Sequence, residues 1–115
     1  MSDVDNRFIE ISSPASLNEF LAEAGGAAVL FKHSENCGVS SRAYAEMAKL
    51  KEPVGLVTVQ KARAVSNEIE SRWSVTHETP QVLIIRDGKL LWDASHFQIR
   101  AEAVEAALLQ ATNGR

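Results

Sequence analysis

Apolar and polar positions along this chain form two alternating patterns, short apolar runs and longer segments with a helical period. The run at residues 27–31 is continuous and follows two glycines, which predicts a strand buried on both faces. Other apolar runs predict strands at residues 8–11, 54–59, 82–85 and 89–94. Apolar residues at helical spacing predict helices at residues 17–24, 38–51, 65–73 and 100–111.

Several local signals mark where these elements begin and end. The first helix is expected to begin at Ser16, which forms a capping-box pattern with Glu19, or slightly earlier at Pro14. Residues 33–36 are polar and interrupt the second strand, and Pro53 ends the second helix. Residues 87–88 (Asp-Gly) predict a tight turn between the last two strands.

The predicted order of elements is β-α-β-α-β-α-β-β-α. The early strands, which are joined through helices, are expected to pair in parallel, and the final hairpin adds antiparallel strands. The predicted fold class is therefore α/β, a single thioredoxin-like domain over residues 1–115 with its core at about residues 8–111. Its mixed central sheet is expected to be flanked by helices on both faces.

Composition narrows the function classes. The net charge is −3, and the chain is 45% hydrophobic and 23% charged, which does not favour nucleic acid or a membrane surface as the main partner. Residues 1–7 are polar and acidic, without the apolar segment of a signal peptide, and no apolar run is long enough to cross a bilayer. We expect a monomer located in the cytoplasm.

Cys37 is the only cysteine, so an internal disulfide and a zinc site of several thiolates are excluded. It lies at the start of a predicted helix, where unpaired N–H groups and the helix dipole favour a thiolate nucleophile. Ser40 lies one turn later and can direct its hydroxyl at the sulfur. A buried, inert cysteine is the alternative. Asn36, Gly38 and Ser40 are polar or small, which favours the reactive thiol.

Charged residues and histidines near Cys37 are further candidates. Lys32, His33 and Arg42 can add positive potential, which Glu35 would oppose. The carboxylate-binding candidates are Lys32, Arg42, Arg63 and Arg72. The three histidines, His33, His77 and His96, are scattered singly, so no metal site is expected.

Several segments resemble the monothiol bacilliredoxins. Residues 31–34 (FKHS) and 37–40 (CGVS) are similar to their active-site region, and residues 65–69 and 75–82 to their central segment. Residues 87–89 and 94–96 are similar to the region that follows, so the resemblance covers residues 27–108. The resemblance implies a thiol–disulfide oxidoreductase that removes bacillithiol, a small thiol built from cysteine, glucosamine and malate, from client proteins.

The resemblance also implies roles for individual residues. Cys37 would attack the bacillithiol sulfur of a mixed disulfide, with Ser40 beside it in the catalytic site. Bacillithiol would be a co-substrate, with no bound cofactor. The Thr79–Pro80 bond is cis and faces the cysteine in proteins of this fold, where the residue before proline binds peptide or thiol through its backbone. The implied thiol- or substrate-binding residues are Lys32, His33, Asn36, Gly38, His77, Thr79 and Pro80.

Two alternatives stay open, and the first comes from one departure from the family pattern. Bacilliredoxins often have proline after the cysteine, where this chain has Gly38. Cys-Gly-Val-Ser is closer to the Cys-Gly-Phe-Ser of monothiol glutaredoxins, some of which carry iron–sulfur clusters, although their Gly-Gly element after the cis-proline hairpin is absent here. The second alternative is a non-catalytic thioredoxin-like binding module, since no resolving cysteine is present.

Overall fold

The computed structural model describes residues 7–113, so the outermost parts of the predicted 1–115 domain lie outside the described residues. The first half of the chain contains β1 (Phe8–Glu10), α1 (Pro14–Glu23), β2 (Ala27–His33), α2 (Gly38–Met47) and β3 (Val54–Thr58). The second half contains α3 (Arg63–Trp73), β4 (Gln81–Arg86), β5 (Lys89–Ser95), a 3-10 turn (His96–Gln98) and α4 (Ala101–Asn113).

The five strands form one mixed sheet in the order β1-β3-β2-β4-β5. β3 pairs in parallel with both β1 and β2, whereas β4 pairs antiparallel with β2 and with β5. The predicted parallel and antiparallel parts of the sheet are therefore confirmed. β2 lies at the centre, so the loop that follows it opens at the middle of one sheet edge.

The sheet separates two apolar cores, because successive strand residues point to opposite faces. Val29 and Phe31 of β2 pack with residues of α2 and α4 on one face. Ala28 and Leu30 pack with residues of α1 and α3 on the other face. The prediction of helices on both faces of a buried central strand is confirmed.

The start of α1 corrects one of the two predicted boundaries. The helix begins at Pro14, and its N-cap is Ser13, not Ser16. The Ser13 hydroxyl accepts a hydrogen bond from the Ser16 N–H, and the Ser16 hydroxyl oxygen accepts one from the Ser13 N–H. The capping box is therefore formed by two serines, and Glu19 takes no part in it.

Among the other boundaries that differ from the sequence prediction, two have a cause in the backbone hydrogen bonds. β2 continues through His33 because the backbone there still pairs with Thr58 of β3. α2 ends at Met47, four residues before the predicted end, because the Lys49 and Leu50 N–H groups form tighter i→i+3 bonds. This turn directs the buried Leu50 side chain into the core. The short 3-10 turn after β5 had no sequence prediction.

Candidate active site

Cys37 is the N-cap residue of α2 and is half-buried. Its backbone is extended, and its carbonyl accepts the first helical hydrogen bond from the Ser41 N–H at 3.0 Å. Gly38 begins the helix, and a Cβ atom added there would meet no atom within 4 Å. Cys37 therefore lies at a helix N-terminus, as the sequence predicts, and there is open space at the neighbouring Gly38.

Ser40 makes a different contact from the one that its spacing suggested. Its side chain is completely buried, and its hydroxyl lies 2.8 Å from His33 Nδ1. The same oxygen accepts a hydrogen bond from the Ser34 N–H at 2.9 Å. The hydrogen bonds of Ser40 thus join α2 to the end of β2, and they do not go to the Cys37 sulfur.

Gln60 holds the loop that leads to Cys37, and sequence reasoning missed it. Its side-chain amide donates to the Ser34 hydroxyl at 2.8 Å, and its side-chain carbonyl accepts from the Glu35 N–H at 3.1 Å. The Asn36 N–H donates to the Ser34 hydroxyl at 3.4 Å, and the Asn36 side chain is exposed. No local signal identifies Gln60, because it reaches across from the turn after β3.

Lys32 is buried, with 0% of its side chain exposed, so it does not present a cation at the surface. Its Nζ atom lies 2.7 Å from His77 Nδ1. The Nε2 atom of the same ring lies 3.4 Å from the Thr79 hydroxyl. The Thr79–Pro80 peptide bond is cis, and Pro80 is buried. The structure thus brings four of the predicted binding residues together in one cluster.

Burial controls the charge of the two histidines in this region. Burial lowers the pKa of His33 from 6.5, and the nearby Glu35 carboxylate opposes this shift only in part. Burial and the positive charge of Lys32 lower the pKa of His77. Both rings are therefore neutral at pH 7, and the positive potential expected from His33 is absent at that pH.

The turn after β5 completes the same sheet edge. The His96 N–H donates to the Pro80 carbonyl at 3.1 Å, and the His96 ring lies 3.5 Å from the Glu78 carboxylate. Phe97 is 64% exposed, and the Arg42 guanidinium lies 5.6 Å from the centre of its ring. An aromatic and cationic surface therefore lies between this turn and α2.

Arg72 lies elsewhere. Its guanidinium forms an ion pair with Glu68 at 2.8 Å, donates to Asn18 of α1 and lies over the ring of Trp73. Trp73 is half-buried against the core, and its indole N–H donates to the Gly88 carbonyl. Arg72 therefore joins α3 to α1, and these contacts place it outside the cluster around Cys37.

The described part of the chain has neither a metal-binding cluster nor a membrane-spanning helix. Within residues 7–113, no three His, Cys, Asp or Glu side chains are grouped so that they could hold a metal ion. No helix in that range is long and apolar enough to cross a membrane.

Comparison with solved structures identifies the fold. A thioredoxin-fold protein described as a candidate oxidoreductase superposes with a TM-score of 0.80 and 26% identity, covering 87% of this chain and 92% of its own. A point mutant of thioredoxin from Halobacterium salinarum gives a TM-score of 0.74 at 12% identity, covering 98% and 97%. Thioredoxin from Trypanosoma brucei brucei gives 0.74 at 15%, covering 96% and 95%. The predicted thioredoxin fold is confirmed.

A thioredoxin fold whose one cysteine is the N-cap of α2 defines the class of monothiol thioredoxin-like proteins. The sequence profile of one such family, the monothiol bacilliredoxin BrxC, matches residues 9–104. This chain therefore belongs to the monothiol bacilliredoxin family, and the resemblance read from its motifs is confirmed. The family and the fold together support a function in thiol redox chemistry.

Proposed function

We propose that this protein removes bacillithiol from client proteins through Cys37. The Cys37 thiolate attacks the bacillithiol sulfur of the mixed disulfide, and the bond between that sulfur and the client sulfur breaks. The client leaves as a thiolate and takes a proton from water. A disulfide between Cys37 and bacillithiol remains, and a second thiol breaks it by the same exchange.

The observation that carries this proposal is the position of Cys37. The sulfur is half-buried at the N-terminus of α2, with open space at Gly38. A helix N-terminus stabilises negative charge and hence the attacking thiolate. A chain with a single cysteine has no internal partner for a disulfide, so exchange must proceed through a mixed disulfide with an outside thiol.

The exchange can be followed with a purified client that carries one bacillithiol. Incubation with this protein should release the client thiol and add the mass of bacillithiol to this chain, and Cys37→Ala should do neither. The same client carrying glutathione instead of bacillithiol tests whether the protein is specific for bacillithiol. The proposal fails if no client thiol is released, or if Cys37→Ala releases it equally well.

The family match supports this proposal over the glutaredoxin-like alternative, although Gly38 keeps the alternative worth testing. A cluster carrier would give a coloured dimer after anaerobic reconstitution with iron and sulfide, with one Cys37 ligand from each chain. We expect a colourless monomer. A stable coloured dimer that Cys37→Ala cannot form would support the cluster carrier instead.

A further inference from the structure

Lys32 is a charged side chain inside the protein, and the exchange chemistry does not use it. It lies on β2, and 0% of its side chain is exposed. Removing an ammonium group from water costs on the order of several kcal/mol, unless a hydrogen-bond partner offsets this cost. The partner of its Nζ atom is His77 Nδ1 at 2.7 Å, on the loop that precedes β4. The buried ammonium group of Lys32 is thus hydrogen-bonded to the His77 ring of this loop.

The contact with Lys32 fixes which nitrogen of His77 carries the proton. A lysine ammonium has only donors, so Nδ1 must be the acceptor and the ring proton must be on Nε2. Nε2 then donates to the Thr79 hydroxyl oxygen, 3.4 Å away. Since this oxygen accepts from the ring, its own proton is free to be donated outward. Thr79 is half-buried, so the hydroxyl is within reach of a bound molecule.

Thr79 and Cys37 lie at the same edge of the sheet. Gln81, two residues after Thr79, pairs with Lys32 near the carboxyl end of β2. Cys37 follows the end of β2 by four residues and is the N-cap of α2. The Gln81 side chain also donates to the Thr76 carbonyl at 3.2 Å, so two neighbouring buried side chains hold this loop on the sheet.

We propose that Lys32 is a positioning residue that fixes His77 as the Nε2–H tautomer. This tautomer leaves the Thr79 hydroxyl as a donor to a carbonyl or carboxylate oxygen of the molecule disulfide-bonded to Cys37. The identity of that molecule rests on the proposed function. The order of donors and acceptors from Lys32 through His77 to Thr79 does not.

The protonation states of Lys32 and His77 are consistent with the amine as donor and the ring as acceptor. Burial lowers the pKa of Lys32 to about 8, while the carboxylates of Glu70 and Glu78 oppose the shift. Burial, Lys32 and Arg63 lower the pKa of His77, and the same two carboxylates oppose that shift. At pH 7 the amine is thus protonated and the ring is neutral. Above about pH 8 the neutral amine can also accept a proton from Nδ1–H, so both tautomers become accessible.

The tautomer can be measured by nitrogen NMR of the His77 ring in the intact protein. At pH 7 we expect an unprotonated Nδ1 and a protonated Nε2, with both signals moving toward a mixture as the pH rises through about 8. Lys32→Met should give the mixture already at pH 7. Leu30→Met, a swap on the same face of β2, should behave as the unsubstituted protein. A predominant Nδ1–H tautomer at pH 7, or no change with pH or in Lys32→Met, would overturn the proposal.

The donor role of Thr79 has a separate readout in the exchange rate of Cys37. With bacillithiol disulfide as the probe, Thr79→Val and Lys32→Met should each slow exchange about threefold to tenfold, and Thr79→Ser should restore it. With dimethyl disulfide, which has no oxygen acceptor, neither variant should differ from the unsubstituted protein. Equal slowing with both probes would contradict the donor role.

The two variants also test whether Lys32 acts through Thr79. The double variant should be no slower than either single variant, because both substitutions remove the same hydrogen bond. If the two substitutions slow exchange additively, Lys32 does not act through Thr79 and the proposal is wrong. Failure to release a client thiol would refute the proposed function, while the His77 tautomer would still decide the role of Lys32.

Discussion

The Ser40 hydroxyl lies 2.8 Å from His33 Nδ1, and this contact connects the helix that carries Cys37 to the central strand. The Ser34 N–H already donates to the same hydroxyl oxygen, at 2.9 Å. The same hydroxyl is thus hydrogen-bonded both to the Ser34 backbone and to the His33 ring. Ser40 is thus a structural connection at the base of the site.

Removing this hydroxyl should destabilise the protein. Ser40→Ala leaves His33 Nδ1 and the Ser34 N–H without their partner in a buried place, which costs about 1–3 kcal/mol. Urea unfolding measures the change. Ser41→Ala is the matched control, because Ser41 is the next residue of α2 and is exposed; we expect a change within about 0.5 kcal/mol. Equal stability of the two variants would contradict the assigned contact.

The stability of the protein should also depend on pH through His33. Burial lowers its pKa below 6.5 in the folded chain, so the unfolded chain binds more protons as the pH falls below about 6.5. The free energy of unfolding is therefore highest above about pH 6.5 and decreases as the pH falls from there toward the folded pKa of His33, below which this contribution levels off. Urea titrations at a series of pH values between 7 and 5 measure this decrease.

His77 contributes to the same pH dependence, because its pKa is lowered as well. His33→Gln and His77→Gln should each reduce the dependence on pH, and the double variant should reduce it further. If the single His33 variant keeps the full dependence, then His33 is not the group that titrates.

The order of elements and the place of Cys37 were predictable from local patterns, whereas the contacts under the site were not. Apolar runs and helical spacing act over a few residues, so they indicated the sheet and the start of α2. Lys32 was predicted to bind substrate from its nearness to Cys37 and from the family resemblance, since a lysine is rarely buried without a partner. Its partner, His77, is 45 residues away in the sequence, and only the pairing of β2 with β4 brings the two together.

The sequence pattern also gave no account of Gly55, in the middle of β3. A Cβ atom there would lie 2.7 Å from Ile11 Cδ1 and 2.8 Å from Phe20 Cε2, closer than packed atoms allow. Gly55→Ala should therefore destabilise the protein by about 1–3 kcal/mol in urea unfolding. Gly38→Ala is the control, because a Cβ there meets nothing within 4 Å and alanine favours the helix. A neutral Gly55→Ala would show that α1 can move away from the sheet.

A second thiol at position 40 should change the fate of the mixed disulfide. Ser40 lies one helical turn from Cys37, so the new thiolate of Ser40→Cys can attack the Cys37 sulfur and release the small thiol. We expect the unsubstituted protein to remain as the mixed disulfide with bacillithiol. The variant should instead lose two hydrogens and form an internal disulfide. Intact mass measured after reaction with bacillithiol disulfide distinguishes the two products.

The matched control for this change is Ser41→Cys, which adds a thiol at the adjacent, exposed position of α2. Successive helix residues point about 100° apart, so this thiol should not reach the Cys37 sulfur, and each cysteine should carry its own bacillithiol. An internal disulfide in Ser41→Cys, or its absence in Ser40→Cys, would contradict the described start of α2. In that case the serine at position 40 would not be the reason why the mixed disulfide at Cys37 needs an outside thiol.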